Sequence, residues 1–132
     1  MSTFGEQFLQ EQVGYLTSGD YDGLMKNQYH ADAEMVTFEF TCKGADAIKK
    51  YLSVDEPAKA GKILGMQMHH FSESDDVIIF VCSIQSEKLG IFVARDALFL
   101  KDKKIFRHIA LTIPPDSEMK IYRQMETGKL AA

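Results

Sequence analysis

The second half of the chain constrains the fold most. Residues 63–72, 76–86, 90–100 and 104–113 form four long strand-like runs, separated only by short polar turns. Turns that short join antiparallel neighbours, so the four runs predict a meander. In the two middle runs both alternation classes are apolar: Ile78, Phe80, Cys82 and Ile84 oppose Val77, Ile79 and Val81, while Phe92, Ala94 and Leu98 oppose Ile91, Val93, Ala97 and Phe99. A sheet of this kind has to be covered on both faces.

The first half supplies the cover for one face. At 100° per residue, Phe4, Phe8, Leu9, Val13, Tyr15 and Leu16 share an arc opposite Glu6, Gln7, Gln10 and Thr17, which predicts a helix over residues 4–17. Gln12 lies near the middle of that arc, where its amide needs a partner or a polar cavity. Ser18-Gly19-Asp20 ends this helix and starts the next: Gly19 is free to take positive φ, and Asp20 is placed to accept from the new helix's first amides. Tyr21, Leu24, Met25, Gln28 and Tyr29 recur at helical spacing. Residues 35–42 alternate and predict a strand, residues 45–52 a third helix with Ile48 and Leu52 on one side, and residues 53–62 a linker-like segment. Residues 116–126 place Met119, Tyr122 and Met125 at roughly helical spacing, which suits a short helix over the pocket or against a partner, or plain surface packing.

The 132 residues suffice for one core, so residues 1–132 are expected to form a single domain, with its body over residues 4–113 and a tail over 114–132. Hydrophobic residues are 45% and charged residues 26%, as in globular proteins. The net charge of -4 and the lack of any basic run beyond Lys103-Lys104 argue against a nucleic-acid partner. The N-terminus has neither a basic start nor an apolar signal core, and the longest apolar run is too short to span a bilayer, so no membrane partner and a cytoplasmic location are expected. Cys42 and Cys82 have no metal-ligand spacing and are expected as reduced thiols. There is no zinc spacing, phosphate loop or nucleophile elbow, so no metal and no cofactor are expected.

The order helix, helix, strand, helix and four antiparallel strands, with Ser18-Gly19-Asp20, Tyr29-His30-Ala31-Asp32-Ala33, Gly44-Ala45-Asp46-Ala47-Ile48 and Lys103-Lys104-Ile105, resembles the nuclear transport factor 2-like superfamily. The nearest branches are the SnoaL-like and ketosteroid-isomerase-like ones, and the resemblance covers residues 4–113. It implies an α+β fold, cystatin-like in outline: a cone-shaped, curved antiparallel sheet wrapped by N-terminal helices, with a pocket at its mouth. Fold alone does not fix function. Carried over residue by residue, the isomerase branch's general-base aspartate falls at Thr37, its donor tyrosine at Gln12 and its second acid at Arg95, so that catalytic set is not matched. The epoxide-hydrolase branch needs Arg and Asp alternating on one face, whereas Arg95 and Asp96 are adjacent. The dehydratase branch uses pocket histidines and tyrosines, and the chain offers His70, His108, Tyr15 and Tyr29.

In the isomerase register Thr37, Phe80, Cys82, Arg95, Ala97, Phe106, His108 and Ala110 face inward, joined by Gln12 and Tyr29. Arg95 would then attract a carboxylate or enolate-like oxygen, and His108 would shuttle a proton. The plainer reading pairs Arg95 with Asp96 or Glu39 and leaves His108 as hydrogen-bonded wall. A one-residue slip would bring Asp96, Leu98 and Arg107 inside and send Arg95 and His108 out. His69 and His70 fall on opposite faces, so only one can line the pocket. The expected function is binding of a small apolar molecule, with cofactor-independent isomerisation, dehydration or cyclisation, or a non-catalytic dimeric interaction module, as rivals. The second apolar sheet face predicts a homodimer packed through it.

Overall fold

The structure, a computed structural model, describes residues 2–113 and 115–127. The end of the tail at residues 128–132 lies outside them. Helix α1 (Phe4–Ser18) starts from Thr3, whose hydroxyl accepts from the Glu6 N–H, and ends where Gly19 takes φ 75° and returns its N–H to Tyr15 O. Asp20 caps α2 (Tyr21–Gln28) through the Gly23 N–H. Gln28 Nε2 donates to Phe8 O at 2.8 Å and locks the two helices together.

Strand β1 (Tyr29–Thr37) starts six residues ahead of the predicted strand, and the predicted run divides into β1 and β2 (Thr41–Lys43). Thr37 causes the break. Its hydroxyl donates to Phe40 O at 2.9 Å and accepts from the Phe40 and Glu39 N–H groups, which turns the chain back on itself. The predicted linker is also corrected. Helix α3 (Ala45–Lys50) runs on through a widened turn, Tyr51–Asp55, into α4 (Glu56–Ala60). In that turn the Glu56 N–H bonds to Tyr51 O, five residues back. Pro57 is tolerated because it stands in the first turn of α4.

Strands β3 (Ile63–Glu73), β4 (Val77–Ser86), β5 (Gly90–Lys101) and β6 (Lys104–Ala110) form the antiparallel meander. With β1 and β2 they make one curved, open sheet in the order β2-β1-β6-β5-β4-β3, in which only the β1–β6 pair is parallel. Ile78, Leu98 and Ile105 of the inner face are fully buried with Leu24 and Ile48 of the helices. The α1 N-terminus is tied to the far end of β3: Gly5 N–H donates to Glu73 Oε2 at 2.9 Å, and a Cβ on Gly5 would come 2.5 Å from that oxygen.

Two turns set which side chains face in. The β4–β5 register pairs Ser86 with Gly90 across a three-residue loop, so even-numbered residues oppose even-numbered ones: Phe80 opposes Asp96 and Cys82 opposes Ala94. The β5–β6 connection is a two-residue turn, with Asp102 and Lys103 at φ 53° and 63°, which would pair even with odd. A β-bulge reverses that parity. Phe99 pairs with Arg107 and Leu100 with Ile105, leaving Phe106 as the extra residue, and beyond it Leu98 opposes His108 and Asp96 opposes Ala110.

The outer face stays apolar and open. Ile79 is 49% and Ile91 70% exposed there. Arg95 also points outward, its guanidinium held at 2.9 Å by Glu118 of α5 (Pro115–Glu126). No helix among the described residues is long and apolar enough to cross a membrane.

Candidate functional site

Between the concave sheet face and the helices lies a cavity of about 590 Å³. That is within the range of small-molecule sites. Gln12 and Leu16 of α1, Tyr21 and Leu24 of α2, Tyr51 and Leu52 of the widened turn and Glu56 of α4 form its helical wall. Met35, Phe80, Cys82, Phe92 and Ala94 form the sheet wall, with Asp96 and His108. The two acidic side chains come from different walls.

At the sheet wall three polar side chains form an unbroken chain. Tyr29 Oη lies 2.8 Å from His108 Nδ1, and His108 Nε2 lies 2.8 Å from Asp96 Oδ1. A carboxylate only accepts, so Nε2 carries the proton that bonds Asp96, and in that tautomer Nδ1 accepts from the Tyr29 hydroxyl. Burial foremost, and then the Asp96 and Glu56 carboxylates, push the Tyr29 hydroxyl well above its ordinary pKa, so it remains a donor. His108 and Asp96 side chains are 11% and 12% exposed. Asp96 Oδ2 makes no hydrogen bond among the described residues, so that oxygen is free for a ligand.

Glu56 differs from Asp96. It makes no hydrogen bond or ion pair among the described residues; burial first, then Asp96, raises its carboxyl pKa, against the opposing pull of His108 and Lys59. The Cys82 thiol is pushed up to about 11, by burial and then by Asp96. Cys82 therefore stays a neutral thiol on the wall. Among the described residues no group of three or more His, Cys, Asp or Glu could hold a metal ion.

The structure brings together Gln12, Tyr29, Phe80, Cys82 and His108 of the residues expected from sequence, and Ala110 with them. It corrects the others. Thr37 spends its hydroxyl on the β1–β2 turn. Arg95 and Ala97 face outward, because Phe80 points in and takes Asp96 as its cross-strand partner. Arg95 pairs with Glu118 rather than with Asp96 or Glu39. Phe106 is the bulged residue and lies outside, with the Arg107 guanidinium 5.9 Å from its ring centroid. Neither expected register is realised whole: β5 follows the slipped one, with Asp96 and Leu98 inside, while β6 keeps His108 inside and Arg107 out. His69 and His70 are both exposed at a bulge in β3, and neither lines the cavity.

Two site residues escape a sequence reading. Asp96 is available only as half of an ambiguous register. Glu56 sits in what reads as a linker, and at α-helical spacing it would fall about 140° around from Tyr51. The widened turn brings the two closer to one side, and both line the cavity.

No family profile matches the chain, and no curated protein matches it. Solved structures do. An NTF-2 like protein of unknown function from Burkholderia xenovorans LB400 superposes with a TM-score of 0.69 at 14% identity, over 85% of this chain and 84% of that one. A putative SnoaL-like polyketide cyclase from Shewanella putrefaciens CN-32 gives 0.69 at 13% identity, over 96% and 88%. TerC, co-crystallised with polyporic acid, gives 0.70 at 19% identity, over 91% and 99%. With the helix order, the curved open sheet and the hollow beneath it, these likenesses establish that the chain has the α+β cone of the nuclear transport factor 2-like fold, shared with SnoaL-like proteins.

Proposed function

We propose that this protein takes a small, largely apolar molecule into its cone and moves a proton on it without a cofactor. The observation that carries this is the Tyr29–His108–Asp96 chain at the wall of an apolar hollow. An arrangement that only filled a core would not need three polar groups in series, each dependent on the next for its hydrogen bonds. Asp96 is the base: Oδ2 takes a proton from the ligand while the His108 N–H holds Oδ1 and fixes the carboxylate's orientation. Tyr29 selects the His108 tautomer, as an orienting group does for any base that acts through a second residue. The same carboxyl returns the proton at another atom of the ligand, so isomerisation, dehydration and cyclisation are all within reach. A SnoaL-like putative cyclase and a protein crystallised with polyporic acid share the fold, which is compatible with this reading.

The test is hydrogen exchange. Enolisable cyclic ketones are incubated with the protein in D2O and deuterium uptake is followed by mass spectrometry, for the wild type and for Asp96→Asn. Exchange above the buffer rate that vanishes in Asp96→Asn supports proton transfer. Ketones that bind but exchange at the buffer rate would reduce the protein to a binder.

The open outer face supports a second copy as partner, because Ile79, Ile91 and Leu111 would otherwise leave a broad apolar patch in water. A monomeric mass by light scattering at micromolar concentration counts against the homodimer. The free thiols Cys42 and Cys82 suit a reducing, cytoplasmic setting.

A further inference from the structure

The relay occupies one end of the cavity and leaves the other unused. Of the lining residues, Thr17, Ser18, Gly19 and Lys62 are exposed, so the hollow opens to solvent between the end of α1 and the start of β3. Lys62 is the one lysine or arginine in that lining. It precedes Ile63, which pairs with Ser86 of β4, whereas Asp96 pairs with Phe80 of the same strand. Six residues of β4 separate those two pairs, about 20 Å of strand. Cys82, Ile84, Phe92 and Ala94 make the wall between them apolar.

The polar groups around Lys62 are already engaged. The Thr17 hydroxyl donates to Val13 O at 2.8 Å, that of Ser18 to Tyr15 O at 3.3 Å and that of Ser53 to Lys49 O at 2.6 Å. The carbonyls at the end of α4 are served as well: Pro57 O accepts from the Gly61 N–H, Ala58 O from Lys88 Nζ and Ala60 O from the Lys88 N–H. Lys62 has no such task. Glu87 packs against Gly61 beside it, yet the Lys62 ammonium makes no hydrogen bond or ion pair among the described residues. Its backbone is held, with Lys62 O accepting from the Glu87 N–H at 2.9 Å, so the charge springs from a fixed point on the rim.

We propose that the ligand is an elongated monocarboxylate, its acid group held at the rim by Lys62 and its apolar end directed inward to Asp96. One ammonium supplies one positive charge, and with the hydroxyls of Thr17, Ser18 and Ser53 spent, a single carboxylate matches it. The reverse orientation would set the ligand's carboxylate against Asp96, where like charges repel.

This inference rests on the pocket reading, and the experiment separates the two. Binding of decanoate and of 1-decanol, its uncharged counterpart, is measured near neutral pH by ligand-observed NMR for the wild type, Lys62→Ala, Lys62→Arg and Lys62→Glu. Lys43→Glu, at an exposed position outside the lining, controls for net charge. An ion pair at an exposed rim predicts roughly twofold to fivefold tighter binding of decanoate by the wild type. That preference is expected to persist in Lys62→Arg and Lys43→Glu, to vanish in Lys62→Ala and to invert in Lys62→Glu. It is also expected to shrink as salt is raised to about 1 M. A preference that survives Lys62→Ala, or that is missing from the wild type while decanol binds, makes Lys62 a solvated surface lysine and overturns the assignment while the pocket stands. Failure of both probes to bind overturns the pocket and this inference together.

Discussion

If the space under the sheet is a true hollow, filling it should stabilise the protein. Ala94 is 5% exposed, faces Cys82 across the β4–β5 ladder and lines the cavity of about 590 Å³. Ala94→Ile adds three carbons, and at about 0.8 kcal/mol per buried carbon the gain is about 2.4 kcal/mol. Fixing the longer side chain returns about 0.5–1 kcal/mol, leaving about 1.5–2 kcal/mol. A β-branched residue also suits the middle of a strand. For a chain of this size the gain corresponds to a rise of roughly 5 °C in Tm. Ala33 supplies the control, because it is fully buried and does not line the cavity. Ala33→Ile should overpack the core and cost about 1–3 kcal/mol. Calorimetric unfolding of the two variants beside the wild type decides the matter. If Ala94→Ile lowers Tm as Ala33→Ile does, the interior is solid and the reasoning about ligands is refuted.

Four further outcomes are expected. Tyr29→Phe removes the donor to His108 Nδ1 and should cost about 1–3 kcal/mol by urea titration, since a buried acceptor is left unsatisfied; an unchanged midpoint would mean the hydrogen bond is absent. Because burial raises the Glu56 pKa, its contribution to stability is fully present below the ordinary carboxylate range and is lost as pH rises through the raised value. Glu56→Gln should therefore raise Tm at pH 7 and lose that advantage below about pH 4.5, the unfolded carboxylate's range; a constant difference across pH would contradict the burial. Arg95→Ala should leave ligand affinity unchanged and cost no more than about 1 kcal/mol, since its partly exposed pair with Glu118 is on the outer face; a loss of affinity would put Arg95 back in the pocket. Replacing Asp102-Lys103 by Asn-Gly should stabilise the β5–β6 hairpin by about 1 kcal/mol, because both residues hold positive φ; a lower thermal midpoint would show that the native pair makes contacts that outweigh its strain.

Local periodicity was enough to read the four long strands, the two N-terminal helices and the caps at Gly19 and Asp20. Those features depend on neighbours within a few residues, and side-chain alternation and capping act at that range. The two-sided apolar sheet was legible for the same reason. Periodicity failed at Tyr29, where a helix-compatible residue begins a strand, and at residues 53–60, where a proline and small polar residues disguise a helix.

The candidate site depends on decisions that no local pattern encodes. A strand's alternation says that Arg95 and Asp96 face opposite ways, and only the three-residue loop before β5 and its pairing with Phe80 decide that Asp96 is inside. Only the bulge at Phe106 then turns His108 toward Asp96 and not away from it. Glu56 arrives by a turn one residue wider than an α-helix, which leaves no mark on composition. The chain's own residues thus determine that there is a curved sheet with helices over it, because burying apolar faces is a short-range, additive preference. Which polar atoms meet inside is set by strand register and helical phase, where one residue more or less reverses the outcome, and that is decided only when distant segments pair.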